Sequence, residues 1–211
     1  MRDKSFPPSA HGLTPEQFLA TAPRRSDFAT PLLTLDAGAM VHNVAHMADW
    51  AQRAGVLLAP HGKTTMAPAL WRQLLDPRPR GAGAWGLTLA TAWQAQVGRA
   101  HGVRRILIAN EVVDPVGLRW IADELAAHPE VEILCWADGG DVVRAMEAGL
   151  GADVTRPLAV MVELGGAGGR TGARDRVAAL AVAEAIAASR VLRLAGVGGY
   201  EGALAHDAGD A

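Results

Sequence analysis

Short apolar runs alternate with longer amphipathic stretches along most of this chain, and that alternation constrains its fold more than any other feature. After a Pro-rich entry, the strand candidates are Leu32 to Asp36, Val56 to Ala59, Ala84 to Leu89, Arg105 to Ala109, Glu132 to Trp136, Leu158 to Glu163 and Leu194 to Gly199. Helix candidates lie between them. Residues Ala39 to Ala54 place Met40, Val44, Met47 and Ala51 at helical spacing, and Ala67 to Leu75, Ala92 to Ala100, Val116 to Ala127, Asp141 to Ala148 and Arg174 to Ala188 follow the later strands. Thr91 and Asp114-Pro115 read as helix starts, and Gly55, Gly102 and Gly149 as helix stops.

From Val56 onward the strand candidates are mostly continuous apolar runs, as in a parallel sheet covered by helices. A (β/α) barrel and a doubly wound sheet share that pattern. Six such strands follow the first long helix, whereas a closed (β/α)8 barrel has eight. The expected fold is therefore α/β, a TIM-type barrel truncated after about six of its strands.

Composition removes several function classes. With 50% hydrophobic and 20% charged residues over 211 positions, the chain has material for a substantial core. A formal net charge of −2 and the lack of basic runs with interleaved aromatics argue against nucleic acid as a partner. No segment has the length of a membrane span, and the first residues carry Arg2, Asp3 and Lys4 without an apolar core stretch. The single cysteine, Cys135, lies in an apolar run and reads as a small buried hydrophobe. A cytoplasmic location is the expectation.

Against this background Lys63 stands out. The chain has two lysines among its 20 Lys and Arg residues, and the other, Lys4, lies in the entry segment. Lys63 follows Leu57-Leu58-Ala59-Pro60-His61-Gly62, an apolar run broken by Pro60 and Gly62, so it sits just past a strand candidate. An ammonium can lose its proton and act as a nucleophile, which a guanidinium does not do at working pH. Polar residues recur after the later strands too: Thr88 and Thr91, Asn110 and Glu111, Asp138, Glu163 and Arg170, then Tyr200 and Glu201. Barrel enzymes place their chemistry at that edge. For Thr91, Asp114 and Asp138 a cap or loop role is the better reading.

Other motifs carry less. The glycines of Gly165-Gly166-Ala167-Gly168-Gly169-Arg170 do not match G-x-G-x-x-G and come late in the chain, so they read as a loop, one that returns Arg170 over a pocket or a plain flexible one, rather than a dinucleotide site. His42 and His46 stand four apart on a helix without an H-E-x-x-H motif and read as surface or packing residues. No G-x-S-x-G elbow exists.

Thr30-Pro31-Leu32-Leu33-Thr34-Leu35-Asp36, a helix containing Asn43, then Pro60-His61-Gly62-Lys63-Thr64, Arg170-Thr171-Gly172 and Gly199-Tyr200-Glu201-Gly202 occur in an order that resembles the fold type III pyridoxal-phosphate enzymes, the alanine racemase N-terminal-domain superfamily. Within it the Pro-His-x-Lys-Thr segment is most similar to the D-serine dehydratase and D-threonine aldolase branch, often labelled amino acid deaminases. The likeness runs from about Thr30 to Ala205. It implies an N-terminal extension over 1–30 and a partial cofactor-binding barrel over 31–211, without the C-terminal β domain that follows in the family.

The resemblance implies that Lys63 forms a Schiff base with pyridoxal 5'-phosphate and takes the substrate Cα proton. Arg170 would face the cofactor's phenolic oxygen, and His61 and Tyr200 would line its ring or phosphate side. The implied reaction is β-elimination from a D-hydroxy amino acid such as D-serine, giving a keto acid and ammonia in a homodimeric lyase. Alternatives are a D-threonine-type aldolase, a racemase, or a non-catalytic cofactor-binding protein. The family's glycine-rich phosphate loop and its metal ligands lie beyond these residues. His206 and Asp207 are no substitute, so no metal ligands are assigned.

Overall fold

The computed structural model describes residues 4–76 and 83–203, and its contacts divide the chain into two units, Met1–Asn43 and Val44–Ala211. The first unit carries helix α1 (Pro15–Ala20), closed at its start by a Thr14–Gln17 capping box. Phe6, Phe18 and Phe28 meet edge to face with ring centroids 5.5–5.8 Å apart. Residues 32–36 form no strand, although they were expected to. Leu33 and Leu35 are exposed there, so the apolar run has no sheet to join.

Helix α2 (Ala37–Ala54) straddles the division and ends at Gly55, whose φ of 67° takes the left-handed turn of a helix stop. Helix α3 spans Pro68–Leu75. Strands and helices then alternate: β1 (Leu87–Leu89), α4 (Ala92–Ala100), β2 (Arg105–Glu111), α5 (Pro115–Ala127), β3 (Glu132–Ala137), α6 (Gly140–Leu150), β4 (Leu158–Leu164), α7 (Arg176–Ala188) and β5 (Leu192–Gly199). Thr91 and Asp114 cap α4 and α5 as expected, their side chains accepting from Gln94 N and from Val116 and Gly117 N. Gly149 lies inside α6; the stop is Gly151, with φ 77°.

The five strands form one parallel sheet in the order β1-β2-β3-β4-β5. A doubly wound sheet reverses its strand order at a switch point, and this sheet does not. Sequential parallel order with a helix at each crossover matches consecutive strands of a partial TIM-type barrel. Val56 to Ala59, expected as a strand, stays outside the assigned sheet.

Alternate strand residues build the core. Leu87, Leu89, Ile106, Ile108, Ile133, Cys135, Val160 and Val162 belong to one buried cluster with Leu118, Ile121, Leu125, Met146 and Ile186 of the helices. Each such side chain, fully buried, contributes roughly 1.5–3 kcal/mol. The opposite strand face carries Thr88 and Glu163, the buried polar side chains among the described residues. Among those residues no helix is long and apolar enough to cross a membrane.

Candidate active site

The turn that presents Lys63 is tied to β1 by backbone hydrogen bonds. Trp85 N donates to Leu58 O at 2.8 Å, Thr88 N to Pro60 O at 2.9 Å and Gly62 N to Thr88 O at 2.9 Å. The 58–62 segment therefore runs alongside β1 with one parallel bridge, His61 to Thr88. Pro60 has no N–H to donate, which limits the ladder to that bridge.

Gly62 O then accepts from Met66 N at 3.1 Å and from the indole of Trp71 at 3.3 Å. Closing this turn puts Met66 at φ 43°, a left-handed conformation uncommon for a residue with a Cβ. A Cβ on Gly62 would lie 2.7 Å from Leu87 Cδ2 and from Trp71 Nε1, so glycine is what fits between those buried side chains. Lys63 is half-buried, its carbonyl accepting from Gln94 Nε2 at 3.4 Å. Among the described residues no ion pair engages its amine. Desolvation, and then the charge of Lys63, hold the His61 imidazole below its ordinary range, so it is neutral at pH 7.

Three carboxylates meet at the ends of β2, β3 and β4. Glu111, Asp138 and Glu163 each offer an oxygen within 4.8 Å of the others. The four-residue step of β2 from Leu107 to Glu111 opposes the two-residue step from Leu134 to Trp136, so a bulge precedes Glu111 and re-aims the strand end. Glu163 accepts from Thr171 Oγ1 at 2.8 Å and Asp138 from Gly172 N at 3.1 Å. Asp138 is thus not a helix cap; Gly139 holds the position before α6. Burial, the hydrogen bond and charge of Glu163, and the charge of Asp138 push the Glu111 carboxyl up to about 8. The Glu111–Glu163 bond requires a proton on one partner; with both ionised, Glu111 Oε1 and Glu163 Oε2 have no donor.

The glycine-rich segment after β4 is a fastened loop. Arg174 Nη1 donates to the carbonyls of Gly166, Gly169 and Thr171 at 2.8, 2.9 and 3.4 Å. Gly172 has φ 93°, and a Cβ there would lie 2.5–2.7 Å from the backbone of Leu164 and Gly165. The return of the loop leaves the Arg170 guanidinium 5.7 Å from the ring of Tyr200, which is 52% exposed just beyond β5.

The four residues singled out by sequence thus stand in two pairs, His61 with Lys63 after β1 and Arg170 with Tyr200 between the ends of β4 and β5. Among the described residues no hydrogen bond or ion pair joins one pair to the other. The carboxylates occupy the strand ends between them. Sequence reasoning noted Glu111, Asp138 and Glu163 singly but not as a cluster, and it missed Arg174 as the loop's clamp. His206 and Asp207 lie outside the described residues.

The sheet thus carries an amine, a guanidinium and carboxylates along its carboxyl edge, the edge at which barrel enzymes place their chemistry. No family model matches the chain. Relatives do: the chain is 28% identical over 182 residues to a 3-hydroxy-D-aspartate aldolase of Paracoccus denitrificans (strain Pd 1222), covering 86% of this chain and 45% of that protein. It is 30% identical over 178 residues to a D-threonine aldolase of Arthrobacter sp, covering 84% and 44%. The crystal structure of D-threonine aldolase from Filomicrobium marinum superposes with a TM-score of 0.71 at 30% identity, over 82% of this chain and 44% of that one. A D-threo-3-hydroxyaspartate dehydratase mutant shares the fold, with a TM-score of 0.62 at 24% identity. The chain spans less than half the length of these relatives. These relatives belong to the fold type III pyridoxal-phosphate group, in its D-serine dehydratase-like branch, and the chain resembles them over most of its own length.

Proposed function

We propose that this chain carries the amine-presenting part of a pyridoxal-phosphate-dependent lyase acting on D-3-hydroxy amino acids. The observation that carries the reading is Lys63, an amine that makes no ion pair among the described residues, on a turn fixed by Gly62, Trp71 and Gln94 at the sheet's carboxyl edge. The relatives named as D-threonine and 3-hydroxy-D-aspartate aldolases support a lyase of this substrate class.

The residues present fit the cofactor. The Lys63 amine can join its aldehyde carbon, and the Arg170 guanidinium, free of ion pairs among the described residues, can hold its phenolate oxygen. When bound, pyridoxal phosphate supplies an electron sink for negative charge developing at the substrate Cα. Lys63 Nζ then serves as the base at that carbon. His61, neutral at pH 7, adds no charge beside the amine, and Tyr200 offers a ring face next to Arg170.

Proton removal from Cα with loss of the β-hydroxyl as water, followed by hydrolysis, converts D-serine to pyruvate and ammonia. Taking the proton of the β-hydroxyl instead breaks the Cα–Cβ bond and converts D-threonine to glycine and acetaldehyde. The first is the preferred reading. A cytoplasmic homodimer completes it, supported by the buried thiol of Cys135 and by Leu194, Val197 and Tyr200, exposed on and just after β5.

The test is product analysis of the chain loaded with pyridoxal phosphate and given D- and L-serine and D- and L-threonine. Keto acid with ammonia reports elimination, and glycine with acetaldehyde reports aldol cleavage, each from the D-enantiomer. Bound cofactor with no product from either D-substrate would contradict the lyase reading and favour a cofactor-binding protein.

A further inference from the structure

We propose that Glu111, Asp138 and Glu163 form a binding site for a hard divalent cation at the carboxyl ends of β2, β3 and β4. This inference goes beyond the lyase reading and depends on neither Lys63 nor the cofactor.

The spacing is that of ligands to one ion. Oxygen ligands of Mg2+ and Ca2+ lie roughly 2.0–2.6 Å from the metal, so two ligands of one ion are at most roughly 5 Å apart. The three carboxylates each place an oxygen within 4.8 Å of the other two. An all-oxygen donor set selects a hard cation over zinc or copper.

A second observation comes from what Glu163 lacks. Its residue is 2% exposed, and its Oε2, buried beside the other carboxylates, has no donor once both glutamates are ionised. Its Oε1 is already taken by Thr171 Oγ1, as Asp138 Oδ2 is by Gly172 N, so the protein has oriented these side chains from one side and left the other unfilled. Glu111 Oε1 is likewise buried without a donor. Among the described residues no lysine, arginine or histidine makes an ion pair with any of the three. The buried Glu163 carboxylate, with half-buried Glu111 and Asp138 beside it, carries a desolvation cost that no cationic partner offsets. A single proton shared by Glu111 and Glu163 leaves Asp138 outside the bond, whereas a cation engages all three carboxylates at once.

The experiment uses the whole chain after treatment with a chelator, with Mn2+ as the probe followed by electron paramagnetic resonance and calorimetry. One Mn2+ per chain is expected, displaced by excess Mg2+. Glu163→Gln and Asp138→Asn, each checked for folding by circular dichroism, should weaken it at least about tenfold. Lys63→Ala should leave it unchanged, so a failure of the cofactor reading is distinguishable from a failure of this site. No saturable Mn2+ binding by the folded chain, or binding that neither carboxylate substitution weakens, would overturn the proposal.

Discussion

Gly172 donates its backbone N–H to Asp138 across 3.1 Å, fastening the loop after β4 to the end of β3. That bond can form because Gly172 adopts φ 93° and passes within van der Waals contact of Leu164 and Gly165, where no side chain fits. One glycine therefore sets both the position of a carboxylate and the return path that delivers Arg170.

Gly172→Ala should cost about 1–3 kcal/mol from the left-handed backbone alone, with the backbone overlap adding to it. Urea unfolding should show the midpoint fall. A variant that still folds should bind pyridoxal phosphate more weakly, because Arg170 is displaced. Wild-type stability in this variant would mean that the loop relaxes freely.

The Cys135 thiol is fully buried, and burial with the nearby Glu111 charge pushes it up to about 12. At pH 8 the native chain should therefore react negligibly with iodoacetamide and fully once denatured, as read by mass spectrometry. Rapid native labelling would place this side chain at the surface.

His61 should titrate below its ordinary 6.5, followed by its imidazole carbon-proton resonances in NMR. Desolvation is the larger cause and the Lys63 ammonium the smaller, so Lys63→Ala should raise the value only part of the way back. The folded chain disfavours protonated His61, so this group's contribution favours folding above pH 6.5 and is lost as the pH falls through its depressed value. A value above 6.5 would contradict the placement of His61 beside a cation.

Much of this structure was legible in the sequence because its elements are strongly periodic. Continuous apolar runs at Ile106 and Ile133 read as buried parallel strands, and Asp114 with Pro115 read as a helix start. The failures have local causes. Pro60 interrupts the ladder that would make Val56 to Ala59 a strand, and the exposed Leu33 and Leu35 show that a run of apolar residues needs a partner as well as a pattern. Asp138 resembled a cap because it precedes a helix; its partner, Gly172, is 34 positions away. The carboxylate cluster was unreadable for the same reason, since Glu111, Asp138 and Glu163 meet only when β2, β3 and β4 lie side by side.

In the proposed lyase, Lys63 is the amine that holds the cofactor. The direct measurement is borohydride reduction of the chain mixed with pyridoxal phosphate, followed by peptide mapping of the labelled residue. The label should fall on the peptide carrying Lys63, together with a visible absorption band lost on reduction and absent from Lys63→Ala. A label on Lys4 or the N-terminus, or an unchanged adduct in Lys63→Ala, would contradict that role for Lys63.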